Sequence, residues 1–341
     1  MRNVDLKDFE IRTDLVADIV SKDETYGVNE EVYEENGVKV SNIKIDSKTS
    51  KLINKKEGFY TTIYFNDITD HTNFKNVREI LIRELNKFLF KESIKDDDTC
   101  MVIGLGNDKV TPDALGSKTA SNVIVTKHIY DLVGSLEEGY RVVSSFNPGV
   151  MGTTGIETSD ILESVIAKVK PNFIIVIDSL ASDSIDRVCK TIQITNAGIS
   201  PGSGIGNKRK EVSKQILNIP VIALGVPMVV DAVTIVSDTI NYMQKHFSYN
   251  LKHNNKSDKL VPSYMRNYLK YDNLNLSKEE KNYFLGAFGN LSDFEKKSLI
   301  FDVLTPIGYN FIVTLKEIDF LLDSLSKLLG EGINNCLHKI K

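Results

Sequence analysis

Two aspartates that follow apolar segments are the residues best suited to chemistry in this sequence. Asp178 comes directly after the apolar run at 173–177, and Asp113 lies beyond a similar run at 101–103. Two carboxyl groups at one site can divide the work of hydrolysis, because one activates water while the other protonates the leaving group. Each aspartate alone has a simpler explanation, Asp113 as an acid in the first turn of a helix and Asp178 as a turn cap.

A glycine-rich segment separates the first apolar run from Asp113. It resembles a dinucleotide-binding fingerprint at Gly104 and Gly106, but Lys109 stands where the third glycine is needed. Residues 196–210 look phosphate-binding, yet they lack the Gly-Lys-Ser/Thr ending of a P-loop. We therefore expect no nucleotide cofactor.

A loop at 149–155 offers backbone donors near the same acids. Its glycines and threonines are Gly149, Gly152, Thr153, Thr154 and Gly155. Such a loop can bind an anion, stabilise an oxyanion or simply turn the chain, and all three interpretations stay open. Lys208 and Arg209 are candidates for binding an acidic substrate residue, with a solvated basic turn as the alternative.

Short apolar strands that alternate with helices must position these residues. We predict strands at 101–103, 142–146, 173–177, 192–195 and 221–224. We predict helices at 113–134, 159–169, 208–217 and 229–246. The alternation is typical of an α/β fold with a doubly wound, mostly parallel sheet covered on both faces. Ligands of such sheets bind beyond the carboxyl ends of the strands, where we expect both aspartates.

Segments outside this core do not continue the alternation of strands and helices. We predict extra N-terminal strands at 37–46 and 59–65, an amphipathic helix at 74–91, an irregular segment at 248–282 and C-terminal helices at 283–341. The core is therefore expected at about 98–246, with additions at 37–92 and 248–341.

Composition and charge exclude several classes of protein. The 341 residues carry a net charge of −4, without the basic excess of a general nucleic-acid binder. The three cysteines are an odd number and widely spaced, which argues against disulfides and structural zinc and favours the cytoplasm. The most apolar stretch, 219–236, contains two prolines and an aspartate, so it predicts a strand and a helix and not a membrane span. We expect neither nucleic acid nor membrane as partner.

Several segments together resemble the germination proteases of endospore-forming bacteria. The matching segments are 11–15, 104–116, 147–160, 177–182, 196–210, 225–233 and 311–319. The resemblance implies an atypical aspartic-type endopeptidase whose fold is related to the hydrogenase-maturation proteases. It also implies that Asp113 and Asp178, the two acids reached above from the strand ends, are catalytic.

The same resemblance implies a self-processing zymogen. The family cleaves after an acidic residue and before a hydrophobic one, which places self-cleavage between Asp14 and Leu15, with Glu10–Ile11 as the alternative bond. Residues 1–14 are then a propeptide, and 15–341 form a single peptidase domain. The family implies a homotetramer in the forespore or spore core, with small acid-soluble spore proteins as substrates.

A mechanism follows as a hypothesis. Like charges held close raise the pKa of one carboxyl group, so the two aspartates would share a proton, one acting as general base and the other as general acid. The helix N-terminus at Asp113 favours the ionised form and hence Asp113 as the base, and the reverse assignment stays open. One rival is a hydrolase that holds a divalent metal between Asp113, Asp178 and a third ligand. The other is a protein that binds acidic spore peptides without cleaving them.

Overall fold

The computed structural model describes residues 13–20, 28–200, 211–252, 274–304 and 311–339. The chain divides into two compact units. The larger unit consists of Arg12–Val229 and Thr314–Lys341, and the smaller unit includes Val230–Val313.

The helices and strands follow one another as a mixed α/β series. The first half contains α1 (Val16–Val20), β1 (Asn29–Glu35), β2 (Val38–Ile45), α2 (Ser47–Ile53), β3 (Gly58–Tyr64), α3 (His71–Lys91), β4 (Cys100–Gly104), α4 (Leu115–Ser121), α5 (Lys127–Val133) and β5 (Val143–Phe146). The second half contains α6 (Met151–Thr154), α7 (Thr158–Val169), β6 (Phe173–Ser182), β7 (Thr191–Thr195), α8 (Lys214–Leu217), β8 (Val221–Asp231), α9 (Ala232–Lys252), α10 (Lys278–Leu285), α11 (Asp293–Leu304), β9 (Ile312–Val313) and α12 (Ile318–Leu337).

The sheet of the larger unit has the strand order β1-β2-β3-β7-β8-β6-β4-β5. β4 pairs in parallel with β5 and β6. β1, β2, β3, β7 and β8 form antiparallel pairs, beginning with a hairpin that turns at Asn36 and Gly37. The predicted α/β class is confirmed. The whole sheet is mixed, because the additional N-terminal strands and the core pair β7–β8 are antiparallel.

The central strands are buried on both faces, as their uninterrupted apolar character predicts. On one face, Met101 and Ile103 of β4 pack in a cluster with Leu162 and Ile166 of α7. Val102, which points the opposite way, is also fully buried. Elsewhere in the larger unit, α12 packs against α3 and α4.

Helix boundaries differ from the prediction where local chemistry interrupts the apolar pattern. The single helix expected at 113–134 is wrong: the structure has a 3-10 turn at Thr111–Asp113, then α4 and α5. The gap between α4 and α5 contains the β-branched run at 123–126, which disfavours helix. Strands β6 and β8 both run further than predicted, so α9 begins at Ala232 and not at 229.

In the smaller unit, α9 packs against α11, and β9 pairs antiparallel with Val230 and Asp231 at the end of β8. α10 begins with a capping box between Ser277 and Glu280. The segment 248–282, predicted to be irregular, is helical at both ends, and its middle lies outside the described residues. None of the described helices has the length and apolar character needed to cross a bilayer.

Candidate active site

Asp178 lies in β6, just beyond the point where the pairing of that strand with β4 ends. The last residue pair of the two strands is Gly104 with Ile177, so Asp178 is the first residue beyond the end of β4. The side chain is buried, and its Oδ1 accepts a hydrogen bond from the backbone N–H of Ser179 at 2.9 Å. Because β6 continues to Ser182, the aspartate stands inside a strand and not at its end as predicted. It nevertheless borders the carboxyl edge of the parallel core.

Asp113 belongs to a turn that leaves the same end of β4. It closes the 3-10 turn, and its Oδ2 accepts a hydrogen bond from the backbone N–H of Asn107 at 2.8 Å. Val110 occupies the N-cap position of this turn and makes no side-chain cap bond. The carboxylate is therefore held by the backbone of its own loop.

Two glycines let this turn approach the strands closely. At Gly106, where φ is +101°, an added β-carbon would lie 2.0 Å from the backbone oxygen of Asp113. At Gly116, an added β-carbon would lie 2.3 Å from the oxygen of Leu105 and 2.5 Å from that of Ile177. The N–H of Leu105 donates to that same oxygen of Ile177 at 2.8 Å. The chain before Asp113 is thus packed against the backbone of Asp113 itself, and the chain after it against Leu105, next to β4, and Ile177 of β6.

This packing brings both predicted catalytic carboxyl groups to one edge of the sheet. Asp178 is 5% exposed, whereas Asp113 is partly exposed. Carboxyl groups in unequal surroundings suit a division between acid and base. Within the described residues, no group of three or more His, Cys, Asp and Glu side chains is arranged to hold a metal ion.

The loop at 149–155 uses several of its donors internally. It forms the short helix α6, in which the N–H groups of Thr153 and Thr154 donate to the oxygen of Val150, and that of Gly155 donates to Met151. The hydroxyls of both threonines also donate to Val150. Three of the predicted oxyanion donors are therefore engaged within the loop, which favours the turn among the three interpretations.

Other predicted site residues fall outside the part of the chain described by the structure. Lys208 and Arg209, the candidates for binding an acidic substrate residue, lie in the segment 201–210. The alternative cleavage bond, Glu10–Ile11, lies in the segment 1–12. Their roles stay predictions.

The predicted cleavage bond at Asp14–Leu15 is bound against the far end of β6. The N–H of Asp14 donates to the oxygen of Ala181 at 3.0 Å, and the N–H of Ala181 donates back to Oδ2 of Asp14 at 2.9 Å. The side chain of Leu15 is fully buried. Asp14 also lines an open cleft of about 210 Å³, together with Lys55, Gln193 and Gly225.

Two side chains that sequence reasoning missed hold the same segment. The Gln193 amide spans the bond: its Nε2 donates to the oxygen of Asp14 at 3.3 Å, and its Oε1 accepts from the N–H of Val16 at 2.9 Å. Lys55 Nζ donates to the oxygen of Thr13 at 2.7 Å. Burial lowers the pKa of Lys55, and the nearby charge of Asp14 opposes that shift. Gln193 had a signal in the sequence, because it is a polar residue within a wholly buried strand.

A buried carboxylate anchors the segment a few residues further on. Asp18 is 1% exposed and forms an ion pair with Arg187. Its Oδ2 also accepts hydrogen bonds from the Ser182 hydroxyl at 3.2 Å and from the backbone N–H of Asp183 at 2.9 Å. The hydroxyl of Thr13 donates to the same oxygen. β6 therefore carries Asp178 in its middle and binds the N-terminal segment at its end.

Comparison with known proteins assigns the family. A sequence model described as Germination protease matches residues 4–340. Germination proteases from Geobacillus sp. and Priestia megaterium are each 44% identical to this chain, over 99% of its length and 96% of theirs. The germination protease of Bacillus subtilis is 43% identical over 98% of the chain and 95% of its own length. The chain is therefore a protease that belongs to the germination protease family, as the resemblance of its segments predicted.

Proposed function

We propose that this chain is an atypical aspartic-type endopeptidase that begins the degradation of small acid-soluble spore proteins at germination. Asp113 and Asp178 form its catalytic pair. Asp113 takes a proton from a water molecule that attacks the scissile carbonyl, and Asp178 protonates the leaving nitrogen as the C–N bond breaks. The products are a new carboxylate and a new amino group.

One observation carries this assignment of the pair. Gly116 permits a backbone approach that locks the Asp113 turn against the residue preceding Asp178. Fixed backbone on both sides of a reacting pair supplies the positioning that hydrolysis needs. Membership of a protease family supports the reaction class.

Isosteric substitution tests the pair. Asp113→Asn and Asp178→Asn each preserve side-chain shape and should abolish cleavage of a purified small acid-soluble spore protein, read as fragment masses. Asp108→Asn is the matched control, because Asp108 is an exposed acid in the same loop. Wild-type activity in either of the first two variants would exclude the carboxylate mechanism.

The two rivals have separate readouts. Activity that disappears after exhaustive chelation and returns with added divalent metal would favour the metal-assisted hydrolase. A substrate that binds but stays intact would favour the non-enzymatic binder. Fragments ending in Asp or Glu support the proposed endopeptidase, because the family resemblance implies cleavage after an acidic residue.

We further propose that the chain is made as a zymogen and cleaved after Asp14. Ala181 lies three residues beyond Asp178, about 10 Å along the strand at ~3.3 Å per residue. The bond held against Ala181 is therefore withdrawn from Asp178 in the intact chain. Processing requires the N-terminal segment to shift along β6, or to reach the carboxyl pair of a second copy. Cleavage rates that rise with protein concentration would identify the second route.

The assembly and location belong to the same proposal. We infer a homotetramer that acts in the forespore or spore core. Light scattering checks the first point, since the tetramer has four times the 38.2 kDa mass of the chain. A fluorescent fusion followed through sporulation checks the second.

A further inference from the structure

The hydroxyl of Thr13, which lies on the N-terminal side of the predicted cleavage bond, bridges two groups on the C-terminal side of that bond. It accepts a hydrogen bond from the backbone N–H of Leu15 at 3.1 Å and donates to Oδ2 of Asp18. The nitrogen of Leu15 is therefore separated from the Asp18 carboxylate by a single oxygen atom. All three residues are buried.

Cleavage after Asp14 changes the Leu15 end of this bridge and removes its middle. Hydrolysis consumes one water and leaves a carboxylate on Asp14 and, at neutral pH, an ammonium group on Leu15. Thr13 departs with the propeptide, so the oxygen between Leu15 and Asp18 is removed. A positive charge is created at the same step, next to a buried carboxylate.

The contacts that hold Leu15 do not depend on the departing residues. Its side chain is fully buried, and the N–H of the next residue, Val16, stays bonded to Gln193. Asp18 keeps its ion pair with Arg187 and its bonds from Ser182 and Asp183. After cleavage the new amino terminus therefore has the same docking site at the end of β6 to return to.

We propose that Asp18 is the receptor for the amino terminus that self-processing creates, with the Leu15 ammonium replacing the Thr13 hydroxyl. The inference rests on the proposed cleavage after Asp14. Asp18 then acts as a positioning residue, because the carboxylate that binds the new ammonium also binds residues 182 and 183 at the end of β6. Processing exchanges a neutral donor for a charged one at this point, and charge-assisted bonds are the stronger kind.

Chemical reactivity of the new amino group tests the proposal. The full chain is allowed to process, and mass spectrometry confirms a product that begins at Leu15. Its α-amino group is then treated with an amine-acylating ester at fixed pH, alongside an unstructured peptide that begins with the same residues. A buried, ion-paired ammonium should react at least about tenfold more slowly than the peptide. Equal rates would overturn the proposal without the need for any variant.

Two substitutions separate the ion pair from general stability. Asp18→Asn should accelerate acylation of the processed chain towards the peptide rate and lower its turnover, and Asp18→Glu should restore part of both. Thr13→Val is the matched control: it should destabilise the intact chain only, because Thr13 is absent after processing. If Asp18→Asn folds and its acylation rate equals that of the wild type, Asp18 is not the receptor.

The outcomes distinguish this inference from the function on which it rests. A chain that is never cut between Asp14 and Leu15 refutes the proposed processing, and the inference falls with it. A chain that is cut there but has a freely reactive amino terminus refutes the inference alone.

Discussion

Gly116→Ala should disable catalysis while leaving a folded protein. The new β-carbon would lie 2.3 Å from the oxygen of Leu105 and 2.5 Å from that of Ile177, whereas ordinary contact begins at 3.4 Å. Both oxygens belong to the backbone of the sheet region, and the second already accepts a hydrogen bond from Leu105. No side chain can move aside to relieve the clash. The beginning of α4 must therefore retreat by about 1 Å, and Asp113 moves with it.

The expected cost divides between stability and activity. Overpacking of this size costs about 1–3 kcal/mol of unfolding free energy. A displacement of about 1 Å at a reacting group costs on the order of 100-fold in rate. The assay is hydrolysis of an Asp-Leu peptide, corrected for the folded fraction measured by circular dichroism.

Gly332→Ala provides the contrast. Its β-carbon would lie 2.6 Å from Cδ2 of Leu81, the end of a side chain that can rotate away. This variant should lose stability but keep its turnover per folded molecule. If Gly116→Ala retains activity within about threefold of the wild type, tight backbone contact at Gly116 does not position Asp113.

Three further results are expected. Gln193→Leu removes hydrogen bonds on both sides of the Asp14–Leu15 bond, so hydrogen exchange of the Val16 amide should accelerate roughly 5- to 150-fold. Substitution of the exposed Gln215 by Leu is the control, and unchanged exchange in Gln193→Leu would mean that Gln193 does not hold the segment. Burial lowers the pKa of His338, so the unfolded chain protonates first and the stability of the folded protein should fall as the pH drops below about 6.5. The melting temperature of His338→Gln should decline less over this range, and an equal decline would assign the pH dependence to other groups. Burial raises the pKa of Cys189 and Cys336 to about 12 and that of Cys100 further. The native protein should therefore resist a thiol reagent that labels all three cysteines after unfolding, and fast labelling of the native protein would contradict their burial.

The positions of the two predicted acids were accessible from the sequence because strong local patterns precede them. Uninterrupted apolar runs predicted β4 and β6, and the rule for parallel sheets located Asp178 at their carboxyl edge. The extension of β6 to Ser182 was not predictable from its own residues. Its final residues pair in part with Asp14, which is distant in the chain. The break between α4 and α5 did have a local cause, the β-branched run at 123–126, which the apolar pattern concealed.

The contacts that hold the N-terminal segment could not be predicted from the sequence, for a different reason. Asp18 looks like an ordinary charged residue until tertiary structure buries it beside Arg187, and the half-buried Lys55 does so until the fold brings it to the oxygen of Thr13. Gln193 was detectable as an anomaly in a buried strand, although its two partners were not. Contacts between residues more than 160 positions apart carry no local periodicity. Patterns within a single sequence therefore reveal strands and acids, but not the segment that binds at the end of β6.

The separation between the N-terminal segment and its binding site has a consequence for the order of events during synthesis. Val16 contacts Gln193, 177 residues later in the chain, and Asp14 contacts Ala181, 167 residues later. At about 5–20 residues per second, roughly 8–35 s of translation separate the two sides of these contacts. Residues 13–18 therefore leave the ribosome long before their docking site exists, and they dock only after β6 and β7 have been made. Throughout that interval the Asp14–Leu15 bond is exposed to proteases. Only the finished fold, and not the nascent chain, protects this bond.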